Sequence, residues 1–428
     1  MNDARDVVKG DVWIREDRIA AVGVVPPEAA RGSVIDAAGA IVLPGFVQTH
    51  VHLCQTLFRG LADDLPLLAW LRSRVWPLEA AHDERTLATA ARLAAAELQL
   101  GGTTSVLTME TVRGTDAVFD ALSRTGLRAT VGKCLMDLGD GVPARLREDA
   151  RSALDESLAL HRRWTGAAHG RLRAALAPRF AVSCTRELLE AAAAESAAHE
   201  LLVHTHASEQ RDEIALVRDR TGLDNLLYLE SVGLATERLC AAHCVWATDA
   251  EQAMLARRGV KVLHCPGSNL KLGSGIAPVP EMRSRGISVS LGADGAACNN
   301  TLDMFQEMRL AATLQAFRLG PGALPASDVV WMATREGARA LGLAAEVGSI
   351  EVGKKADAII VGRDGLHQAP GGEPYGQLVY ATRAADVRAT IVDGAVVARD
   401  GQIVWDDAAR LRADAELAAR ALASRAGL

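Results

Sequence analysis

Between residues 40 and 319, short runs rich in β-branched and small apolar residues alternate eight times with longer Ala/Leu/Arg-rich runs of helical character. A chain patterned this way has few packing options: its strands lie parallel and the intervening helices cover the sheet. The strand runs fall at 40–47, 103–108, 129–135, 172–177, 201–206, 239–243, 260–264 and 288–291. The helical runs fall at 84–100, 115–125, 146–164, 186–199, 209–220, 249–258, 280–285 and 302–319. Eight strand–helix units predict an α/β fold, a (β/α)8 TIM-like barrel. A doubly wound open sheet would alternate likewise. Polar residues at the C-terminal ends of several different strands favour the barrel, because a barrel gathers its site on that face.

The two ends read differently. Residues 12–24 form two short strand runs with a turn at 15–17, and 356–361, 387–392 and 395–404 are further strand runs with Gly394 and Gly401 in turns. Both ends are expected to build one small β-sandwich beside the barrel, with a closing helix over 411–426. The expected division is 1–42 and 346–428 for the sandwich and 43–345 for the barrel. At 428 residues, two or three domains are the prior at roughly 150 residues each. Lys plus Arg number 47 against 53 Asp plus Glu, a net charge of −6, which argues against a general electrostatic grip on nucleic acid or an anionic membrane. No apolar run is long enough to span a bilayer. The start, MNDARDVVKGD, carries charge and no apolar h-region, so a cytoplasmic location is expected. The 7 Cys form no CxxC pair and are an odd number, which reads as reduced, mostly buried thiols.

Four signals fall at strand ends. In PGFVQTHVH, His50 and His52 are two apart on a strand, so both imidazoles face one way; alone, such a pair is as easily a core or surface pair as a metal site. In HTHASE, His206 ends a strand and Glu209 follows, which fits a ligand with a proton carrier, or a helix start capped by Ser208. His204 lies one pleat deeper and is the weaker candidate, a buried hydrogen-bonding residue. His243 ends the apolar strand LCAAH, and Asp294 sits between glycines after SLGA; singly, these are a core histidine and a turn. Jointly, four histidines and an aspartate at the ends of strands one, five, six and eight describe a cluster around one cation. Three imidazoles and a carboxylate suit Zn2+ first and Fe2+ second, with a position left for water whose pKa the ion lowers toward ~7.

In order and spacing, PGFVQTHVHLCQTLFRG, HTHASEQRDE, AAHCVW, HCPGSNLKLGSGIAPVPEM and LGADGAACNNTLDMFQEMRLA resemble the amidohydrolase superfamily, in its aminohydrolase branch. The resemblance covers almost the whole chain. It implies one divalent metal held by His50, His52, His206 and Asp294, with Glu209 as proton shuttle and His243 as hydrogen-bond partner of the attacking water. It implies that Asp294 and His243 deprotonate that water, that Glu209 protonates a ring nitrogen, and that ammonia leaves the adjacent carbon. Binuclear branches carry a carbamylated lysine on strand four. Here that strand reads RLRAALA, without lysine, which implies a single ion; Lys133, ending strand three, is then a substrate-facing or salt-bridged residue. Relatives usually begin with a further strand pair before the segment matching 11–24, so the small domain is expected to lack its first strand.

The expected partner is a small aminated nitrogen heterocycle, with no nucleic acid and no membrane, in a homodimer or larger homo-oligomer. DLPLLAWLRSRVWPLEA and APRFAVSC look like guanine deaminase, whose grip on an oxopurine would fall to Gln55 and Arg179. HCPGSNLKLGSGIAPVPEM and GADGAACNNTLDMFQEMRLAATLQ are closer to deaminases of S-adenosylhomocysteine, methylthioadenosine and 5′-deoxyadenosine, where Trp70 and Glu79 would contact the nucleoside. The adenosine group often has His where Arg179 stands. The balance favours an adenosine derivative. The alternatives are guanine, 8-oxoguanine or a pterin, an s-triazine, or a non-catalytic barrel acting as a scaffold; the last is disfavoured because all ligands are retained.

Overall fold

The computed structural model describes Asn2 and residues 4–428; Met1 and Asp3, which belong to the 1–42 stretch assigned to the sandwich, lie outside it. Strands β1 (Asp11–Arg15) and β2 (Arg18–Gly23) form an antiparallel hairpin. Strands β3 (Ile41–Pro44) and β4 (Phe46–His52) follow, then β5 (Thr103–Met109), β6 (Arg128–Leu135), β7 (Leu172–Pro178), β8 (Val203–Ala207), β9 (Leu239–His243), β10 (Lys261–His264), β11 (Val289–Leu291) and β12 (Asp294–Gly295). The C-terminal strands are β13 (Ala358–Val361), β14 (Val387–Val392), β15 (Ala395–Arg399) and β16 (Gln402–Ile403).

The central sheet has nine strands in the order β11-β10-β9-β8-β7-β6-β5-β4-β12, every neighbouring pair parallel. Its two outermost strands, β11 and β12, are separated in the chain only by Gly292 and Ala293, so the sheet curls until its edges meet one polypeptide segment. A curled, all-parallel sheet of this kind is consistent with the expected TIM-like barrel. Helices fill the connections, among them α1 (Glu84–Leu100), α2 (Arg211–Thr221), α3 (Pro266–Lys271) and α4 (Met304–Leu319), and α5 (Ala408–Ala426) closes the chain. Local chemistry fixes where they start. Asp83 accepts the Thr86 N–H at 2.8 Å to cap α1, and Asp303 accepts the Phe305 N–H at 2.8 Å to cap α4.

The expected 40–47 strand divides at Gly45. Residues 41–44 pair with β13 in the small sheet, and 46–52 enter the central sheet. A side chain at Gly45 would bring a Cβ to 2.1 Å from Thr104 Cγ2, so glycine alone lets the backbone pass from one sheet to the other. The expected 395–404 strand likewise divides into β15 and β16, because Asp400 and Gly401 take left-handed conformations (φ 49° and 74°). The second antiparallel sheet runs β16-β15-β14-β13-β3, so it joins chain from both ends. The β1–β2 hairpin packs on it through Ile19 against Ile350, Ala356 and Ala358. A buried ion pair binds the small sheet to the central one: Arg128, at the start of β6, holds Asp357 with Nε–Oδ2 3.0 Å.

One face of the curled sheet carries an apolar cluster. Val47, Leu107, Ala175, Cys240, Ala242 and Leu263 pack there against Leu341, Leu343 and Val347. All seven cysteines are buried and unbridged, as the odd count led one to expect. No helix among the described residues is long and apolar enough to cross a membrane.

Candidate metal centre and active site

The site forms where the strands end, and two backbone irregularities aim it. Between Gln48 and Val51, β4 takes one residue more than β5 does between Val106 and Thr108. That bulge re-phases the strand: Val51 packs outward against the helices, and His50 and His52 turn inward. On β9, Cys240 and Ala242 already face the interior, so strict alternation would send His243 outward. His243 instead adopts φ 70° and Asp294 φ 65°, left-handed conformations that redirect both side chains into the cluster. Such strain in non-glycine residues persists only where surrounding contacts enforce it, and it gathers at functional sites.

Hydrogen bonds set each imidazole. His52 Nδ1 donates to the Met109 carbonyl at 2.7 Å and His206 Nδ1 donates to the Arg179 carbonyl at 2.7 Å. His204 Nδ1 lies 3.3 Å from the Thr108 carbonyl, which leaves its Nε2 to accept from His50 Nδ1 at 2.6 Å. In all three candidate ligands the proton therefore sits on Nδ1, and a bare Nε2 lone pair points at the common centre. His52 Nε2 and His206 Nε2 stand 3.2 Å apart, and Asp294 Oδ1 lies 3.3 Å from the Nε2 atoms of both His50 and His52. His50 Nε2 is buried without a hydrogen-bond partner among the described residues. Converging lone pairs and a carboxylate oxygen repel unless a cation lies between them, so this donor set fits a divalent ion. Burial also keeps two of these imidazoles neutral: it holds that of His50 down at about 4 and that of His206 well below its usual range.

The proton-handling groups sit alongside. The Glu209 side chain is nearly inaccessible; Oε1 accepts from Ser274 Oγ at 3.2 Å, and Oε2 lies 3.6 Å from His243 Nε2. Burial pushes Glu209 up, with the His243 charge opposing. For His243, burial acts downward, but Glu209 and Asp294 outweigh it and the net direction is up. Its Nδ1 meets Asn269 Oδ1 at 2.9 Å, and Asp294 Oδ2 accepts from Ser268 Oγ at 2.6 Å. Ser268 and Asn269 both lie on α3, inside the HCPGSN segment, where neither carries a ligand or catalytic signature in the sequence.

These groups border a cavity of about 370 Å3, counting the part open to solvent, walled by Leu67, Trp70, Leu71, Phe180 and Leu272. The segment carrying Leu67–Trp70 continues through a π-helical turn at Leu71–Val75, an element with no helical period in the sequence because Pro66 and Pro77 interrupt it. Of the expected binding residues, Trp70 lines the cavity with a buried indole N–H that has no partner among the described residues. Gln55 and Arg179 line it as well, while Glu79 lies behind them, and the three are bound to one another. Arg179 grips Glu79 with two nitrogens, at 2.6 and 3.1 Å, and Gln55 Nε2 donates to Glu79 Oε1 at 3.1 Å. Lys133 is buried in an ion pair with Glu148 and a looser one to Glu156 at 3.6 Å, away from the cavity lining.

Residues 41–397 match the amidohydrolase family. The chain is 42% identical to a 5′-deoxyadenosine deaminase of Methanothermobacter thermautotrophicus over 402 residues, covering 94% of this chain and 92% of that protein. It is 40% identical to a 5-methylthioadenosine/S-adenosylhomocysteine deaminase of Desulforudis audaxviator, over 96% of this chain and 95% of that one. Among solved structures, an adenosine deaminase of Xanthomonas campestris with bound zinc superposes with a TM-score of 0.89 at 34% identity, over 96% of this chain and 93% of the other.

Proposed function

The chain belongs to the amidohydrolase family and is a hydrolase of C–N bonds; from that premise we propose that it is a zinc-dependent deaminase releasing ammonia from the exocyclic amine of an adenosine derivative. The observation that carries the reading is the convergence of His50, His52, His206 and Asp294 beside Glu209 and His243, on one wall of a cavity otherwise lined by apolar and aromatic side chains. His50, His52, His206 and Asp294 would hold the ion, and zinc is preferred because the Xanthomonas structure has it bound. When bound, such an ion supplies Lewis acidity that makes hydroxide available near pH 7.

The chain's own groups supply the rest. Asp294 takes the proton from the attacking water, with Ser268 fixing its carboxylate. His243, held through Nδ1 by Asn269, presents Nε2 to the attacking oxygen and to Glu209. Glu209 carries a proton to the ring nitrogen next to the aminated carbon, and burial favours its protonated form in the resting site. As the C–N bond breaks, a proton returns to the departing nitrogen and ammonia leaves. The apolar walls exclude bulk water, and Leu67, Trp70 and Phe180 stack or flank a planar base.

An adenosine derivative is favoured over an oxopurine for two reasons. Relatives named for adenosine derivatives are 40–42% identical across nearly the full chain. Moreover, two nitrogens of the Arg179 fork that would bind a ring carbonyl are already engaged by Glu79. The free indole N–H of Trp70, on the cavity wall, calls for an acceptor on the substrate. The same reading closes the curled sheet into a (β/α)8 barrel over 43–345 and makes 1–42 with 346–428 a composite β-sandwich, supported by the pairing of β3 with β13. An ammonia-release screen of zinc-loaded protein tests the assignment, using adenosine, 5′-deoxyadenosine, methylthioadenosine, S-adenosylhomocysteine, guanine, 8-oxoguanine, isoxanthopterin and an s-triazine. Turnover of at least one adenosine derivative, above all others, is expected; turnover confined to guanine or a triazine overturns it.

A further inference from the structure

Behind Glu209 lies a second carboxylate with no part in the chemistry above. Glu213, on the first turn of α2, is fully buried. Its Oε2 accepts the Glu209 backbone N–H at 2.8 Å and the Gln210 N–H at 3.4 Å, while Oε1 accepts from Asn225 Nδ2 at 2.6 Å. As a helix cap alone, Glu213 would serve the N-cap residue Gln210. The shorter bond goes instead one residue outside the helix, to the residue whose side chain enters the site.

Glu209 needs such a restraint. It is in a connection of three residues between β8 and α2, and Ser208 within it takes φ 51°, left-handed for a residue with a side chain. The Ser208 carbonyl accepts the Trp246 N–H at 3.0 Å, and Ser274 meets the Glu209 carboxylate at 3.2 Å. Beside those two, the N–H of Glu209 is a direct handle on its own backbone, and Glu213 takes it. A carboxylate buried beside another carboxylate is costly to keep, and burial together with the Glu209 charge pushes Glu213 up to about 7. A cap without this duty could be an uncharged residue.

We propose that Glu213 is a positioning residue that fixes the backbone of Glu209, so that the Glu209 carboxyl is held between His243 and the substrate ring nitrogen. This rests on the reading of Glu209 as the proton carrier, and the experiment separates the two. Zinc-loaded wild type, Glu213→Gln, Glu213→Ala, Asn225→Ala and Glu209→Gln are compared for kcat and KM in deamination of 5′-deoxyadenosine, or of the best substrate in the screen. Metal content, solvent deuterium isotope effect on kcat and melting temperature are measured on the same samples. Proton transfer by a placed side chain contributes roughly 10²–10⁴-fold, and loss of placement alone forfeits part of it. Glu213→Ala is therefore expected to lower kcat ~10–100-fold, with KM within about threefold, metal content unchanged and an increased isotope effect. Glu213→Gln, which keeps an acceptor oxygen for the Glu209 N–H, recovers part of that loss. Asn225→Ala frees the far end of Glu213 without touching the cap and gives a smaller fall in kcat. If Glu213→Ala does not fold, the Gln and Asn225 variants carry the test. Lowered melting temperature with kcat unchanged in these variants makes Glu213 a helix cap only and overturns the proposal. Full activity of Glu209→Gln overturns the functional reading itself.

Discussion

Replacing Arg179 by Met probes the ion pair beneath the cavity, and its consequences follow from geometry. Arg179 and Glu79 are each almost wholly buried, with contacts of 2.6 and 3.1 Å between guanidinium and carboxylate. Removing the cation leaves the Glu79 carboxylate in a low-dielectric site with only Gln55 Nε2, 3.1 Å away, to solvate it. Breaking a buried pair in this way costs about 3–5 kcal/mol, which is ~10²–10⁴ in the folding equilibrium constant. The pair as a whole is worth far less, because both ions were desolvated to form it. The double variant Arg179→Met with Glu79→Gln should accordingly recover most of the loss. Urea unfolding of the four members of the cycle, followed by tryptophan fluorescence, gives the coupling energy. In activity, the cavity wall at Arg179 and Gln55 loosens, so KM for adenosine derivatives rises, and any residual guanine turnover falls by a similar factor. A stability loss below about 1 kcal/mol in the single variant would refute the pairing, since exposed pairs are worth that little. A selective loss of guanine turnover would show that Arg179 addresses the substrate directly.

Other outcomes follow from the same geometry. Glu209→Gln should keep its metal and lose at least ~10²-fold in kcat, checked by ammonia release beside elemental analysis; retained turnover removes Glu209 from the reaction. Elemental analysis should find about one ion per chain, and a chelator should abolish turnover that zinc restores. Two ions per chain would contradict the single donor cluster, since Lys133 is committed to Glu148. Burial raises the Glu307 carboxyl to about 8 from its ordinary 4.5, while the Gly267 N–H and Asn299 partly oppose the shift. Between those two values the folded state holds a proton that the unfolded chain has lost. The contribution of Glu307 to stability thus falls as pH rises from about 4.5 to 8, by up to ~1.4 kcal/mol per unit. Urea midpoints of Glu307→Gln relative to wild type should therefore climb between pH 5 and pH 8, and a flat difference would place the carboxyl in a more polar setting.

Much of the molecule was legible in one dimension. The β/α alternation announced parallel strands, and four helix or strand spans, 84–100, 186–199, 239–243 and 249–258, match the structure to the residue. The reason is physical: long amphipathic helices with capping residues and strictly apolar strands carry their own boundary signals. The short pieces were not legible. Pro266–Lys271 and Asn225–Ser231 have too few turns for a period to emerge, yet they deliver Ser268, Asn269 and the partner of Glu213.

The identities of the six side chains around the site were written in the sequence, because strand ends and the spacing of His50 with His52 restrict where such residues can point. Their aim was not. Whether β4 bulges between Gln48 and Val51, and whether His243 turns inward through a left-handed backbone, depends on neighbouring strands that no local pattern encodes. The same holds for Arg179. Its type advertised a grip on substrate, but only the folded chain brings Glu79, one hundred residues away, against its guanidinium at the cavity wall.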